Sequence, residues 1–408
     1  MLHLYYNHLM CEQEEVMKDF DIATSEDIFS GKVTDVYFLR TKEVLEKAGI
    51  DKSVVMEIAQ KGMPDEYPFG IFTGLEHVLR LLEGKNVDVY AIPEGSVFFE
   101  DIPVLTIVGK YLEFGIYETA ILGFICQASG ITTKALKCKL AAGNKTLLSF
   151  GARRAHPAIS GMIDKYAYIG GCDGFSVIFT EELVDIPASG TVPHTLILLV
   201  GDTAKAMELF DKYIDPSIKR LALIDTFNDE RFETIKVAEV LKNRLDSVRL
   251  DTPSSRRGNL RKIAEEIRWE LDTRGFAHVK LFASGGLDEK NIIELRDIID
   301  GFGVGTSISN AKVMDFSMDI VSIEGMSISK KGKKSFFKYA FQCESCLYMS
   351  VSVDKDSVLM CPKCKKQMKN VTVQYMKKGK LIKDKDSVST IRNRVLSQKN
   401  KLYNYIKN

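Results

Sequence analysis

Residues 279–310 read VKLFASGGLDEKNIIELRDIIDGFGVGTSISN. The short apolar run VKLFAS is a strand, and Ser284-Gly285-Gly286 breaks it. Asp288 then stands at an N-cap position, and Ile292, Leu295, Ile298 and Ile299 recur at helical spacing. A second strand closes on Gly303-Val304-Gly305-Thr306. In a parallel α/β fold both turns lie at the carboxyl ends of strands, where unpartnered backbone N–H groups and a helix N-terminus meet one point. That arrangement suits an anion, and glycine lets the backbone approach it without a Cβ. The stretch predicts a parallel α/β domain that handles a phosphorylated small molecule.

The chain has 408 residues, 45% of them hydrophobic, enough for a large core in two or three domains. No run approaches 18 apolar residues, Thr195 to Val200 fits a strand or a buried helix turn, and the start lacks a basic-then-apolar leader. The expectation is a soluble, cytoplasmic protein. The formal net charge of +1 hides an asymmetry: from Met326 onward there are 20 Lys or Arg against 5 Asp or Glu, while the rest holds 36 basic and 50 acidic residues. A domain boundary at Met326 is the simplest cause. The expected segments are residues 1–118, 119–325 and 326–408.

Eight cysteines divide into two groups. Cys11, Cys126, Cys138 and Cys172 are scattered through apolar or mixed surroundings and are expected to be structural thiols. Cys343, Cys346, Cys361 and Cys364 form two CxxC pairs fourteen residues apart. Two such knuckles let four thiolates converge on one tetrahedral ion, so a closed, structural Zn²⁺ site in a ribbon is expected. The intervening LYMSVSVDKDSVLM alternates like a hairpin with its tip at Asp354 to Asp356, and NVTVQYM is a further strand. The Lys-rich flanks could touch nucleic acid or an acidic partner, but the expected reading is a solvated basic module.

The middle of the chain alternates strand and helix. Residues 86–109 carry short β-prone runs broken by Pro-Glu-Gly and Asp-Ile-Pro, which suggests an antiparallel sheet. Residues 113–142 are helical in texture, and 145–150 form a strand. Further on, Leu223-Ile224-Asp225 precedes a helix with Ile235, Ala238, Leu241 and Leu245 on one stripe, and Val248 to Asp251 precedes one with Leu260, Ile263, Ala264, Ile267 and Leu271. Repeated βα units imply a parallel sheet or barrel with its site at the strands' carboxyl ends. Those ends carry Arg153, Arg154 and His156, then Asp173, Asp225, Arg249 and Asp251, then the two glycine turns. Neighbouring aspartates hold Mg²⁺ or ribose hydroxyls, and arginine forks match phosphate or carboxylate. Mg²⁺, a phosphorylated sugar and an anionic acceptor describe phosphoribosyl transfer.

GARRAHP, LIDTFND, SVRLDTP, LFASGGLDEKNI and DGFGVGTSI, in that order, resemble the nicotinate phosphoribosyltransferases of the type II phosphoribosyltransferase family, over residues 30–325. Thr34-Asp35-Val36-Tyr37-Phe38 fits the same family, and the cysteine-bearing tail resembles its archaeal-type members. The resemblance implies an N-terminal open β-sandwich domain, an irregular α/β barrel, and a homodimer with active sites at the interface. Nicotinate and phosphoribosyl pyrophosphate would give nicotinate mononucleotide and pyrophosphate. Phe150 would stack on one face of the pyridine ring and the neighbouring subunit's Tyr37 on the other. Arg153, with Arg154 or His156, would hold the carboxylate. Arg249 and Asp251 would bind ribose and pyrophosphate, with Asp225 at the next strand tip. Ser284, Gly285, Gly286, Gly303, Gly305 and Thr306 would cradle the 5′-phosphate. His194, in Ser189-Gly190-Thr191-Val192-Pro193-His194, would accept a phosphoryl group from ATP.

Three rivals stand beside this reading. Quinolinate phosphoribosyl transfer needs more cations round the ring than GARRAHP offers. Nicotinamide phosphoribosyl transfer would follow if Asp173 faced the ring, because a carboxylate there repels nicotinate. A nucleic-acid-binding zinc-ribbon protein on a degenerate barrel predicts disrupted phosphate turns.

Overall fold

The computed structural model describes residues 19–406 apart from 253, 254 and 257; Cys11 lies outside them. Two sheets organise the chain. The first is antiparallel, with strands in the order Phe316–Ile323, Ser53–Gln60, Pro103–Lys110, Val87–Ala91, Val373–Lys377 and Lys380–Leu381. Along Val87–Ala91 burial alternates strictly, as a strand with one face on a core requires. The helix Leu75–Leu82 buries Leu75, Val78, Leu79 and Leu82 in the same core.

Residues from all three expected segments share this sheet. Phe316–Ile323 leaves the barrel to pair with Ser53–Gln60, placing Met318 opposite Ile58. Val373–Lys377 pairs with Val87–Ala91. The antiparallel sheet therefore spans the expected boundaries near 118 and 326. Alternation marks a segment as a strand but does not name its partner. The charge asymmetry has a structural cause too. Lys330 and Lys333 close on the buried Asp319, and Lys338 lies 2.7 Å from the buried Glu57. Part of the tail's basic excess neutralises acids of the sheet it completes.

The second sheet is wholly parallel: Gly174–Phe175, Thr146–Ser149, Gly301–Val304, Lys280–Ala283, Ser247–Leu250 and Leu221–Leu223. Its two end strands do not pair with each other among the described residues, which leaves an open, irregular barrel. The crossover helices start on the caps their sequences provide. Asn259 accepts from the Lys262 N–H ahead of Leu260–Thr273, and Asp288 forms a capping box with Asn291 ahead of Glu289–Leu295. Of the expected stripe, Ala238, Leu241 and Leu245 are buried and Ile235 is half-buried, while Thr234 and Val237 of Glu230–Leu241 join the buried face. The segment Thr195 to Val200 is neither a strand nor a buried turn: it lies in an exposed helix, His194–Val200, with only Ile197 buried.

A 25-residue helix, Glu118–Ala142, joins the two sheets. By length and composition it is apolar enough to cross a membrane, but its first half enters the antiparallel sheet's core and its second half the barrel's. Gly130 lets it pass the 312–313 backbone, where a Cβ would come within 2.4 Å of the Lys312 carbonyl oxygen.

The cysteine segment forms its own three-stranded antiparallel sheet, but not as the expected hairpin. Met349–Ser352 pairs with Tyr339–Gln342, and Lys369–Asn370 takes the other side of that strand. Beyond it, Val388–Ser397 packs on Pro157–Ile169 and buries Ile391 and Val395 in the barrel core.

Candidate active site

Five of the six strands of the parallel sheet, all but Leu221–Leu223, end on residues that line one cavity of about 360 Å³. Phe150 follows Thr146–Ser149, Arg249 and Asp251 stand at the end of Ser247–Leu250, Ser284-Gly285-Gly286 follows its neighbour, and Gly303, Gly305 and Thr306 close the next. Arg153 and Arg154 complete the wall from a short 3₁₀ turn, Ala152–Arg154. Eleven of the fifteen sequence-predicted catalytic and substrate residues line this one space.

Close packing explains the glycines. A Cβ on Gly303 would sit 2.4 Å from the Phe150 ring, and one on Gly285 would sit 2.9 Å from the Asp251 carbonyl oxygen. Gly285 and Gly286 also hold φ of 84° and 72°, the left-handed region that side chains disfavour.

Charge is paired within the wall. The Ser284 hydroxyl donates to Asp251 Oδ1 at 2.7 Å, and Arg249 stands 3.8 Å from Asp251 Oδ2. The Arg249 guanidinium lies 5.7 Å from the Phe150 ring centroid. Burial lowers its pKa, and the Asp251 and Asp225 carboxylates oppose the shift. Its Nε is buried without a hydrogen-bond partner among the described residues.

The other four predicted residues stand elsewhere. His194 opens the helix His194–Val200 at the cavity's flank, with Nε2 3.2 Å from Oδ1 of the buried Asp225. Burial raises the Asp225 pKa, and His194 counteracts it. His156 spends Nδ1 on the Ala158 N–H as the N-cap of Pro157–Ile169. Tyr37, on the helix Val36–Lys47, is 55% exposed and does not reach the cavity of its own chain.

Asp173 is a correction. It precedes Gly174–Phe175 and sits at the sheet's opposite end, accepting from Lys139 Nζ at 2.7 Å and from the Leu147 N–H at 2.9 Å. It cannot face a ring held by Phe150. Reading the sequence also missed Ser176, Ser189, Gly190 and Thr191, which line the cavity. No motif marks Ser176. The 189–191 loop is brought in because the Ser189 N–H bonds the Phe175 carbonyl.

The four cysteines of the ribbon converge. Sγ of Cys343 and Cys364 are 3.3 Å apart, those of Cys346 and Cys361 are 3.5 Å apart, and all four lie within 4.8 Å of one another. Among the described residues this is the one group of three or more Cys, His, Asp or Glu suited to a metal ion. Cys138 and Cys172 are buried and Cys126 is half-buried, as structural thiols are.

Known proteins share this architecture. The N-terminal domain of quinolinate phosphoribosyl transferase matches residues 35–129 and its C-terminal domain matches 131–319. A Pyrococcus furiosus structure described as nicotinate-nucleotide pyrophosphorylase is 47% identical, superposes with a TM-score of 0.92, and covers 95% of this chain and 99% of its own. The chain belongs to the type II phosphoribosyltransferase family. Within that family, nicotinate phosphoribosyltransferase pncB2 of Mycobacterium tuberculosis is 32% identical over 293 residues, which is 68% of this chain. The match spans only 62% of that relative's length. Human nicotinic acid phosphoribosyltransferase is 18% identical with a TM-score of 0.71 over 90% of this chain and 94% of its own, a likeness of fold.

Proposed function

We propose that the protein transfers the 5-phosphoribosyl group of phosphoribosyl pyrophosphate to nicotinate, giving nicotinate mononucleotide and pyrophosphate. The observation that carries this reading is one cavity holding an aromatic ring, two adjacent arginines, an Arg–Asp pair and two glycine turns. Phe150 stacks on the pyridine ring, and Arg153 with Arg154 holds its carboxylate. Ser284 to Gly286 and Gly303 to Thr306 receive the 5′-phosphate, and Arg249 with Asp251 faces ribose and pyrophosphate. Pyrophosphate leaves an anomeric carbon through an oxocarbenium-like state, so the site must stabilise departing negative charge and hold the pyridine nitrogen in line. That nitrogen already has a lone pair, and no base is required. Asp251, the carboxylate among the described residues that line the cavity, would hold Mg²⁺, which would supply positive charge to the departing pyrophosphate.

The relatives' names support this acceptor: the mycobacterial and Bacillus subtilis proteins are named nicotinate phosphoribosyltransferase. The placement of Asp173 away from the cavity removes the argument for nicotinamide. The quinolinate reading is favoured by the two matching domains, both named for quinolinate phosphoribosyl transferase. Against it, the cations that line the cavity among the described residues are Arg153, Arg154 and Arg249, and Arg249 is committed beside Asp251.

His194 fits a phosphoryl acceptor: with Nε2 held by Asp225, the Nδ1 lone pair is the nucleophile toward ATP. The four thiolates bind one structural zinc, whose tetrahedral geometry asks for sulfurs about 3.8 Å apart. The exposed Tyr37 serves the neighbouring subunit of a homodimer, and the enzyme works in the cytoplasm. Pyrophosphate release with nicotinate, nicotinamide and quinolinate, each with and without ATP, tests the reading. Turnover chiefly of nicotinate, raised by ATP, is expected; preference for either rival acceptor overturns it.

A further inference from the structure

Helix Pro157–Ile169 carries one carboxylate that no part of the reaction uses. Asp164 is fully buried, and no cation is among its hydrogen-bond partners. Its two oxygens face two different strand tips. Oδ1 accepts from the Ser149 hydroxyl at 2.7 Å, and Oδ2 accepts from the Ser176 and Val177 N–H groups, both at 3.2 Å. Ser149 ends the strand that presents Phe150, and Ser176 follows the strand at the barrel's open edge. Phe150 and Ser176 both line the cavity. The pairing between those two strands covers only Leu148–Gly174 and Ser149–Phe175, so the ladder stops where the cavity begins. Beyond that point Asp164 replaces the missing ladder bonds, taking up the two N–H groups that follow the last paired residue.

A buried carboxylate without a partner cation is costly to hold, and burial here raises its pKa. Retaining one at the edge of the cavity is explained by what it spans. We infer that Asp164 is a positioning residue that sets the gap between Phe150 and Ser176, and so the width of the slot that takes the aromatic acceptor. The inference rests on the acceptor site proposed above, but not on which pyridine fills it. The glycine turns and the Arg249–Asp251 pair are on the other strands, so this clamp holds none of the phosphoribosyl donor's groups directly.

Asp164→Ala and Asp164→Asn provide the test, with wild type first assayed for pyrophosphate release on nicotinate. Asp164→Ala is expected to raise KM for the pyridine acceptor about tenfold while KM for phosphoribosyl pyrophosphate stays within about twofold. Asp164→Asn can keep its Oδ1 on the two amides and offer Nδ2 to Ser149 Oγ, so it is expected to recover most of the loss. Native-state hydrogen exchange reads the same clamp without substrate. The Ser176 and Val177 amides exchange slowly in wild type and in Asp164→Asn, and fast in Asp164→Ala. Equal changes in both Michaelis constants, or protection of both amides unchanged in Asp164→Ala, overturn the inference. A wild type inactive on nicotinate sinks the proposed function instead, and the exchange result still decides the clamp. If Asp164→Ala does not fold, Ser149→Ala loosens one arm alone and is expected to shift the acceptor KM in the same direction by a smaller factor.

Discussion

Arg249 and Asp251 leave one strand two residues apart, so both side chains point to the same side of the sheet. They pair at 3.8 Å, a separation loose enough for a substrate oxygen or ion to enter. In the proposed reaction, groups placed this way would act on charge that develops as pyrophosphate departs. Arg249→Ala and Asp251→Ala are each expected to lower turnover by roughly 10² to 10³, about 2–4 kcal/mol, with melting temperature little changed. Steady-state kinetics at wild-type level in either variant would contradict the assignment. Arg153 makes a different prediction because the proposed function sets it against the acceptor rather than the leaving group. A guanidinium gains far more from a carboxylate than from an amide. Arg153→Ala should therefore raise KM for nicotinate much more than KM for phosphoribosyl pyrophosphate, and parallel increases in the two would refute the carboxylate role.

Among the elements, the cysteine ribbon is the least able to hold itself together. Its own buried apolar cluster consists of Phe341 and Met368 around Cys343 and Cys361. Each knuckle closes on a residue in left-handed conformation, Leu347 with φ 64° and Lys365 with φ 58°, a strain of order 1 kcal/mol or more each. The backbone bonds of Leu347 to the Cys343 carbonyl and of Lys365 to the Cys361 carbonyl repeat one turn twice. A metal supplies what such a core cannot, at roughly 10 kcal/mol or more for structural zinc. Elemental analysis should find one zinc per chain. Chelation or Cys361→Ser should unfold the ribbon and lower thermal stability, without a defect specific to the chemical step. Zinc-free protein with unchanged melting would remove the metal from this account.

Across the whole molecule, the C-terminal helices hold the two sheets together. Gln398 donates to the Gly95 carbonyl at 2.8 Å and accepts from the Val97 N–H at 2.9 Å, joining residues some 300 positions apart. Glu94 sits in the same seam, buried, with Oε1 accepting from the Gly74 N–H at 2.6 Å. Burial pushes its pKa up to about 7 from 4.5, Gly74 and Lys165 opposing and Glu76 reinforcing the rise. A raised carboxyl pKa means that the folded chain binds more protons than the unfolded one between about pH 4.5 and 7. The contribution of Glu94 is thus fully present below that window and is lost as pH rises through it. Glu94→Gln keeps a neutral acceptor for Gly74. It should flatten this fall and raise melting temperature at pH 8 relative to wild type, while changing little at pH 4. Melting curves with identical pH dependence in the two proteins would exclude the effect.

By itself the sequence determined the parallel αβ units, their caps, the two glycine turns and the cysteine cluster, because each depends on residues close in the chain. Gly285 and Gly286 adopt positive φ as a tight turn needs, and Asp288 caps as its spacing indicates. Tertiary structure alone decided what depends on distant partners. It sent Phe316–Ile323 and Val373–Lys377 into the N-terminal sheet, turned Asp173 toward Lys139, and brought Ser176 into the cavity. A strand's alternation specifies which face is buried but not its neighbour, and a single polar residue carries no periodicity that reveals which end of a sheet it will occupy.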